Sequence, residues 1–291
     1  MAISPLFLTT KDYNRQTSSL LFEYFRCPSC QLIFLQPIPE DLGAYYPQEY
    51  YQIPSSAEEL ALQSIHEKYK VDLLKKFISK GTLLEIGPAT GGFAYWAQQE
   101  GFTVEVMEQD PRCCQFLSKT LNIPTVQGSD ILRNLPNNRT YEVIALWHVL
   151  EHLPSPWSVL NELVRRLHVG GFLSLALPNP NALQFKLLQK FWAHLDAPRH
   201  TQLIPIELLT SYLEKLGCRV KLQTTTDEGS LHWNQFGWYH SLPHILSSTS
   251  YKKILTYGGK FLFYLFSRIE AKEGKGAAYT LILQKEKEVE E

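Results

Sequence analysis

The chain has 291 residues, 44% of them apolar, and a formal net charge of −1. This length suits one large domain with additions or two small domains. The near-zero net charge argues against non-specific binding to nucleic acid. The best apolar stretch, 261–266, is far too short to cross a bilayer. Five cysteines and a start without a secretory signal predict a reducing, cytoplasmic setting.

The first 55 residues are predicted to form a leader ahead of the main domain. This segment is rich in aromatic residues and proline, and the stretch Pro54-Ser55-Ser56 follows it as a linker. The next residues predict an amphipathic helix, because apolar side chains recur there at helical spacing. The apolar face of this helix would carry Ile65, Tyr69, Leu73 and Phe77.

From residue 82 onward, short apolar strands alternate with helical patterns, which predicts a parallel sheet covered by helices on both faces. Asp110-Pro111 and Ser155-Pro156 each place a capping side chain before a proline at the first helical position. The second of these helices is expected to run to Val169 and to end at Gly170-Gly171. The predicted strands are 82–86, 103–107, 141–146, 172–177 and 218–223, with a short one before Ser129.

Residues 226–276 interrupt this alternation with many aromatic side chains. They are either a lid that makes a binding pocket apolar or the site of an interfacial helix over 251–269 that makes peripheral contact with a membrane. The chain then returns to a strand, which we assign to the main sheet. The predicted organisation is a leader (1–55), a core (56–225 plus 277–291) and an aromatic insertion (226–276).

The strand-to-helix turn over residues 83–93 carries the strongest chemical signal. Its small residues allow backbone N–H groups to approach a ligand closely, and the N terminus of the following helix attracts a carboxylate. Ala89 stands where the dinucleotide fingerprint requires its middle glycine, so the spacing is not that of a pyrophosphate site. No lysine or arginine lies inside the turn, which agrees with a ligand that has no phosphate.

Two acids are expected at the same edge of the sheet, where ligands of open α/β folds bind. Glu108 ends the second predicted strand and can accept both hydroxyls of a ribose. Asp130, beside Ser129, follows the third strand and can accept from an adenine amino group. Taken alone, Glu108 suits a surface acid and Asp130 suits a helix cap, but their order and spacing together favour a nucleoside ligand.

These features resemble those of class I S-adenosylmethionine (SAM) methyltransferases. Residues 83–93 are similar to the first motif of that family, an acid followed by x-G-x-G-x-G. The segment 141–153 resembles its D-x-I-x-x-x-x-V-L-E-H-L stretch. The resemblance implies an α/β, Rossmann-like fold with a seven-stranded, mostly parallel sheet, helices on both faces and an antiparallel last strand. It implies SAM as the cofactor and contacts to SAM from Glu85, Gly87, Ala89, Gly91, Glu108, Asp130, Trp147 and His148.

The leader resembles a zinc ribbon that precedes the core in a subgroup of these methyltransferases. That ribbon has two C-x-x-C pairs, whereas this leader has only Cys27 and Cys30. Structural zinc takes four ligands, and the other three cysteines are expected to fill the core. We therefore predict no metal site and interpret the leader as a metal-free cap.

The segment 192–200 resembles the W-x-x-x-D-x-P-R-H stretch of the same subgroup and faces the same cleft. Arg199 can grip an anionic acceptor with two parallel hydrogen bonds, or it can pair with Asp196 and only order the loop. A hydroxyl acceptor needs a base to remove its proton. The histidines that could serve are His148, His152, His194 and His200, and we prefer His200, then His148.

The leading hypothesis is a methyltransferase that acts on a small-molecule acceptor, O-methylating a sugar, a glycan precursor or another metabolite. One alternative is an NAD-dependent oxidoreductase, against which the glycine spacing counts. Another is a SAM-binding scaffold without catalysis. The acceptor and the oligomeric state are not predicted.

Overall fold

The computed structural model describes residues 4–47, 49–136, 139–245 and 252–288. Parts of the predicted leader (1–3 and 48), insertion (246–251) and core (137–138 and 289–291) lie outside the described residues. The strands are β1 (Leu6–Thr10), β2 (Phe22–Arg26), β3 (Ile33–Leu35), β4 (Gly81–Ile86), β5 (Phe102–Glu108), β6 (Thr125–Gln127), β7 (Tyr141–Trp147), β8 (Leu167–Pro178), β9 (Gln202–Leu203), β10 (Cys218–Thr224) and β11 (Ala278–Lys285).

The α-helices of the described part alternate with these strands. They are α1 (Ala57–Gln63), α2 (Lys68–Lys75), α3 (Gly92–Gln99), α4 (Pro111–Lys119), α5 (Ile131–Asn134), α6 (Pro156–Arg165), α7 (Leu183–Leu188), α8 (Ile206–Lys215), α9 (Glu228–Ile245) and α10 (Lys252–Glu270).

The main sheet has seven strands in the order β10-β11-β8-β7-β4-β5-β6. Its pairs are parallel except for β11, which is antiparallel to both β8 and β10. This confirms the predicted α/β, Rossmann-like fold, including the antiparallel last strand. The strand order reverses at β4, which has β5 on one side and β7 on the other. Ligands of such sheets bind at the carboxyl ends of the strands at this reversal.

The strand β7 shows why its sequence is an apolar run. Val143 and Ala145 face a core that includes Phe93 of α3. Ile144 and Leu146 face the opposite core, which includes Leu160 of α6. Both faces of the strand are therefore removed from water, and alternation of apolar and polar residues is lost, as expected in a covered parallel sheet.

Two predicted helix boundaries are wrong. The predicted amphipathic helix is interrupted by a single turn of 3₁₀ helix, Ile65–Glu67, between α1 and α2. At this break the Ser64 hydroxyl donates back to the carbonyl of Leu60 at 2.7 Å. The apolar face shifts as a result, and Ile65 is 58% exposed. The helix predicted to reach Val169 ends at Arg165, and Gly170-Gly171 lies inside β8.

The capping prediction holds for one helix and fails for the other. The Asp110 carboxylate accepts from the N–H of Arg112 at 2.8 Å and caps α4. Ser155 makes no such bond, and α6 begins with Pro156 at its first position.

The leader folds against the core as part of a second sheet. Strands β1, β2 and β3 pair in antiparallel order, and β3 then pairs with β9. Tyr24 of β2 is fully buried, and its hydroxyl donates to the carbonyl of His200 at 2.6 Å. The leader thus fixes the backbone of the segment that carries His200.

The aromatic insertion forms two packed helices, α9 and α10. Trp238 of α9 stacks on Phe266 of α10 with 5.2 Å between ring centroids. The outer face of α10 leaves Phe261, Tyr264 and Leu265 more than half exposed. No helix of the described residues is long and apolar enough to span a membrane. Peripheral membrane contact through 251–269 stays a prediction.

Candidate active site

The turn after β4 depends on two glycines. Gly87 has φ +66°, and a Cβ there would lie 2.7 Å from Cγ2 of Val149. Gly91 has φ +87°, and its Cβ would lie 2.5 Å from Cδ2 of Leu117. Neither position accepts a side chain without strain and collision. Ala89, between them, adopts φ +53°, so the chain follows a glycine-like path at the position where the family motif has glycine.

Glu108 closes this turn from the end of β5. One carboxylate oxygen accepts from the N–H of Ala89 at 3.0 Å, and the other accepts from Gln109 and Asp110 at 2.7 and 2.8 Å. Burial raises the pKa of Glu108, and these three hydrogen bonds oppose the rise. The side chain is held at the strand end by the same backbone that forms the glycine turn.

Glu85 lies within β4, just behind the turn. It is 3% exposed, and its Oε2 has no hydrogen-bond partner among the described residues. Burial raises the pKa of Glu85 to about 8. The indole N–H of Trp147, at the end of β7, is also buried without a partner. Buried polar groups are ordinarily satisfied, so these two groups mark a place for a polar ligand.

Two cavities meet at this edge of the sheet. The strand-edge cavity, about 540 Å³, is lined by Gly87, Glu108, Gly128 and Ser129 together with residues of the leader. The histidine cavity, about 480 Å³, lies on the other side and is covered by the leader and α9. The residues that line both are Tyr50, Tyr51, Gly87, His148 and His152.

Asp130 does not line either cavity. It is exposed, and its carboxylate caps α5 by accepting from the N–H of Arg133 at 3.2 Å. Its neighbours Ser129 and Ile131 do line the strand-edge cavity. The structure therefore gives Asp130 the alternative role of a helix cap, and a contact with adenine stays a prediction.

The four candidate bases all line the histidine cavity. His148 adopts φ +57°, and its Nδ1 lies 3.4 Å from Oε1 of Glu151. Burial lowers the pKa of His148 to about 3, so the ring is neutral. His200 has its Nδ1 2.8 Å from the carbonyl of His194. The Nε2 of His194 lies 2.9 Å from the carbonyl of Trp233, which occupies that nitrogen.

The predicted grip of Arg199 on an anionic acceptor is wrong. The guanidinium is fully buried and makes five hydrogen bonds, to both carboxylate oxygens of Asp12, both of Asp196, and the carbonyl of Tyr45. Five is the full donor capacity of arginine, and Arg199 does not line either cavity. Arg199 instead ties the leader to the loop that carries His200.

Sequence reasoning missed several residues that line the cavities. Tyr50 and Tyr51 of the leader line both cavities. Trp233 and Phe236 of α9 line the histidine cavity, as a lid would require. Glu151, which lies between two noted histidines, was passed over. Its burial without a hydrogen-bond partner is a tertiary property that residue type alone does not reveal.

Cys27 and Cys30 lie in the turn between β2 and β3, partly exposed and unbonded to each other. Within the described ranges, the one cluster of three or more metal-ligating side chains does not include them. The resemblance of the leader to a zinc ribbon therefore rests on the sequence alone.

A family model described as a methyltransferase domain matches residues 58–223, more than half of the chain. This chain belongs to that methyltransferase family. No curated protein sequence matches the methyltransferase. The alternative of an NAD-dependent oxidoreductase is therefore wrong, and SAM is the cofactor.

Solved structures with the same fold include three methyltransferases of low sequence identity. One, from Galdieria sulphuraria and named as a sarcosine dimethylglycine methyltransferase, is 15% identical with a TM-score of 0.54, covering 80% of this chain and 88% of its own. A SAM-dependent methyltransferase from Archaeoglobus fulgidus is 19% identical with a TM-score of 0.51, covering 76% and 94%. The geranyl diphosphate C-methyltransferase of Streptomyces coelicolor A3(2) is 14% identical with a TM-score of 0.52, covering 79% and 78%.

The strand-edge cavity fits SAM on observations of this chain. Gly87 of the glycine turn and Glu108 line the cavity, and Glu108 offers a carboxylate there. Glu85 lies buried behind the turn with an unpartnered oxygen, and it lines neither cavity. SAM has a ribose diol and an α-ammonium group that such carboxylates accept from. The methyltransferase thus has donors and acceptors suited to both polar ends of the cofactor.

Proposed function

We propose that this enzyme transfers the methyl group of SAM to a hydroxyl of a small molecule, such as a sugar, a glycan precursor or another metabolite. The observation that carries the proposal is the histidine cavity, which meets the strand-edge cavity at His148. Its volume of about 480 Å³ suits a small acceptor. Its walls combine aromatic rings of α9 with several histidines, which suits a partly apolar molecule that must lose a proton.

The cofactor would be held by four features at this edge of the sheet, of which Gly87 and Glu108 line the strand-edge cavity and Ala89 and Trp147 line the histidine cavity. Glu108 accepts from the ribose hydroxyls, and Glu85 pairs with the α-ammonium group through its free oxygen. The turn containing Gly87, Ala89 and Gly91 lets the backbone approach, and Trp147 donates its free indole N–H. When bound, SAM supplies a methyl group activated by its sulfonium. The chain then has to align an acceptor oxygen with that group.

We assign the removal of the acceptor proton to His148. It lines both cavities, so it stands where an acceptor oxygen and the methyl group would meet. The neutral ring has a lone pair for the proton. His200, which the sequence favoured as the base, lines only the histidine cavity. We further propose that the leader and the aromatic insertion act as cap and lid that exclude water from the acceptor.

A screen with methyl-labelled SAM tests this function. The protein is incubated with the small-molecule fraction of a cell extract, and labelled products are identified by mass spectrometry and NMR. We expect a methyl ether or ester. The variant His148→Asn, which tolerates the positive φ, should lower kcat by about 10²-fold with little change in the KM for SAM.

The matched control is His168→Asn, because His168 is exposed near the start of β8 and lines neither cavity. It should leave kcat unchanged. A label on nitrogen or carbon would overturn the O-directed part of the proposal. Tight SAM binding without any labelled product would instead favour the SAM-binding scaffold.

Glu85 predicts a stability change that depends on pH. The pKa of this buried acid is raised from 4.5 to about 8, so over that window the unfolded chain gives up its proton and the folded chain keeps it. The free energy of unfolding therefore falls as the pH rises from 4.5 to 8. We expect Glu85→Gln to match the wild type at about pH 5 and to exceed it by about 2 kcal/mol or more at about pH 9 in urea unfolding.

The same variant should bind SAM about 10-fold or more weakly, because an amide cannot give up a proton to become the negative partner of the ammonium group when SAM binds. Glu142→Gln is the control with the opposite sign. The pKa of Glu142 is lowered by hydrogen bonds from Thr82, so its loss should destabilise the protein above the acidic range. A stability gain for Glu85→Gln that does not change with pH would contradict the prediction.

A further inference from the structure

A cluster of three side chains at the base of the histidine cavity has unused ligand atoms. Glu151, His152 and His200 each place one potential ligand atom within 4.8 Å of the other two. All three line the cavity. Two imidazole nitrogens and one carboxylate on one side of a cavity are a common set of protein ligands for a transition metal.

Hydrogen bonds set which ring nitrogen of each histidine is free. The Nδ1 of His200 lies 2.8 Å from the carbonyl of His194, and the Nδ1 of His152 lies 3.1 Å from the carbonyl of Arg199. A carbonyl only accepts, so the Nδ1 of His200 carries the hydrogen and its Nε2 keeps its lone pair. We assign the same tautomer to His152. The hydroxyl of Tyr46 adds a contact at 2.9 Å to the Nδ1 of His152. Metal-binding histidines ordinarily have this kind of outer partner.

Glu151 is the second and independent observation. Its side chain is 0% exposed, and neither carboxylate oxygen has a hydrogen-bond partner among the described residues. The Nδ1 of His148 lies 3.4 Å from Oε1, and its neutral ring supplies no counter-charge to this carboxylate. A buried carboxylate without partners is costly, and a bound cation is one of the arrangements that compensates it.

A backbone hydrogen bond joins the two segments that carry the cluster, and a group of buried charges with a net negative charge lies next to it. The N–H of Thr201 donates to the carbonyl of Glu151 at 2.8 Å, which fixes the strand end that holds His200 against the turn that holds Glu151. The adjacent group of Arg199, Asp12 and Asp196 has one positive and two negative charges. Its net charge of −1 favours a cation nearby.

We propose that Glu151, His152 and His200 bind a divalent first-row transition-metal ion at the base of the histidine cavity. The donor set favours Zn²⁺, Co²⁺, Fe²⁺ or Mn²⁺ over Mg²⁺ and Ca²⁺, which prefer sites built of oxygen. Three protein ligands leave coordination positions open to the cavity. If the proposed function holds, those positions receive an oxygen of the acceptor, and His200 acts as a ligand instead of as the base.

The test is a titration of the whole chain with Co²⁺ after treatment with a chelator, without SAM or an acceptor. Calorimetry and the visible absorption of protein-bound Co²⁺ give stoichiometry and affinity. The background is Cys27→Ser/Cys30→Ser, which removes the thiol pair as a competing site. We expect one ion per chain with a Kd on the order of micromolar or tighter, and far weaker binding of Mg²⁺.

Glu151→Gln and His200→Asn should each weaken Co²⁺ binding by about 100-fold. The exposed His168→Asn should leave it unchanged. For variants that do not fold, a crystal of the wild type soaked in Co²⁺ gives the answer, because anomalous scattering locates the ion. Absence of binding at millimolar Co²⁺, or an ion found away from these three residues, would overturn the proposal. SAM binding measured in the same samples is independent, so failure of the metal site is distinguishable from failure of the methyltransferase function.

Discussion

Arg199→Ala will destabilise the protein by about 3–5 kcal/mol, because it leaves two buried carboxylates without their cation. The side chains of Arg199 and Asp12 are both 0% exposed, and that of Asp196 is 13% exposed. Burial opposes the ionisation of Asp196, but hydrogen bonds from Arg199 outweigh it and hold the pKa of Asp196 well below its ordinary value. Urea unfolding at neutral pH measures the loss.

Arg199→Ala should also loosen the attachment of the leader to the core, in addition to lowering the free energy of unfolding. Asp12 and Tyr45 belong to the leader, and Arg199 binds both. Without the guanidinium, we expect residues near Asp12 to exchange their amide hydrogens faster and the acceptor cavity to lose part of its cover. Arg199→Lys should recover only part of the stability, since an ammonium group cannot make the two forked pairs.

Arg165→Ala is the control for Arg199. It removes an ion pair with Glu162, but the Arg165 side chain is 65% exposed. Exposed pairs contribute about 0–1 kcal/mol, so little change is expected. A similar small change for Arg199→Ala would show that the buried group is not the tie between leader and core.

Glu108→Ala will weaken SAM binding by about 100-fold, the equivalent of about 2.7 kcal/mol. The carboxylate lines the strand-edge cavity and also accepts from the N–H of Ala89. Its removal therefore takes away the proposed partner of the ribose hydroxyls and loosens the turn that faces the cofactor. Hydrogen bonds to a charged group contribute about 1.5–3 kcal/mol each, which sets the size of the effect.

Calorimetric titration with SAM and with S-adenosylhomocysteine measures this loss. Glu108→Gln keeps the shape but not the charge, and it should fall between the wild type and Glu108→Ala. Glu105→Gln is the matched control, because Glu105 lies on the same strand, is also buried, and lines neither cavity. Unchanged SAM affinity in Glu108→Ala would contradict the proposal that Glu108 accepts hydrogen bonds from the ribose hydroxyls.

The cofactor edge was largely predictable because its signals are local. Gly87 and Gly91 are required by backbone conformation and by close neighbours, and a glycine in a strand-to-helix turn is visible in the sequence. Glu108 follows a strand at a fixed distance from that turn. The capping of α4 by Asp110 is local in the same way. Asp130 shows the limit of such reasoning, since a cap and a ligand contact have the same local pattern.

The acceptor side was not predictable to the same degree because it is built from segments far apart in the chain. Tyr50 of the leader, Glu151 after β7, His200 before β9 and Trp233 of α9 meet only when the sheets pack. Arg199 illustrates the consequence. Its residue type suits an anion site, but its role follows from Asp12, which is 187 residues away in the chain and 2.6 Å away in space.

The sequence by itself determined the order of the seven strands of the main sheet, the glycine turn and the acid at the end of the second core strand, because hydrophobic period, turn chemistry and spacing are properties of neighbouring residues. Tertiary structure alone decided that Arg199 is fully paired, that the Glu151 carboxylate has no hydrogen-bond partner among the described residues, and that His152 and His200 lie beside it. Burial and hydrogen-bond satisfaction depend on which distant groups arrive at the same place, and the packing of the leader and α9 onto the sheet sets that outcome.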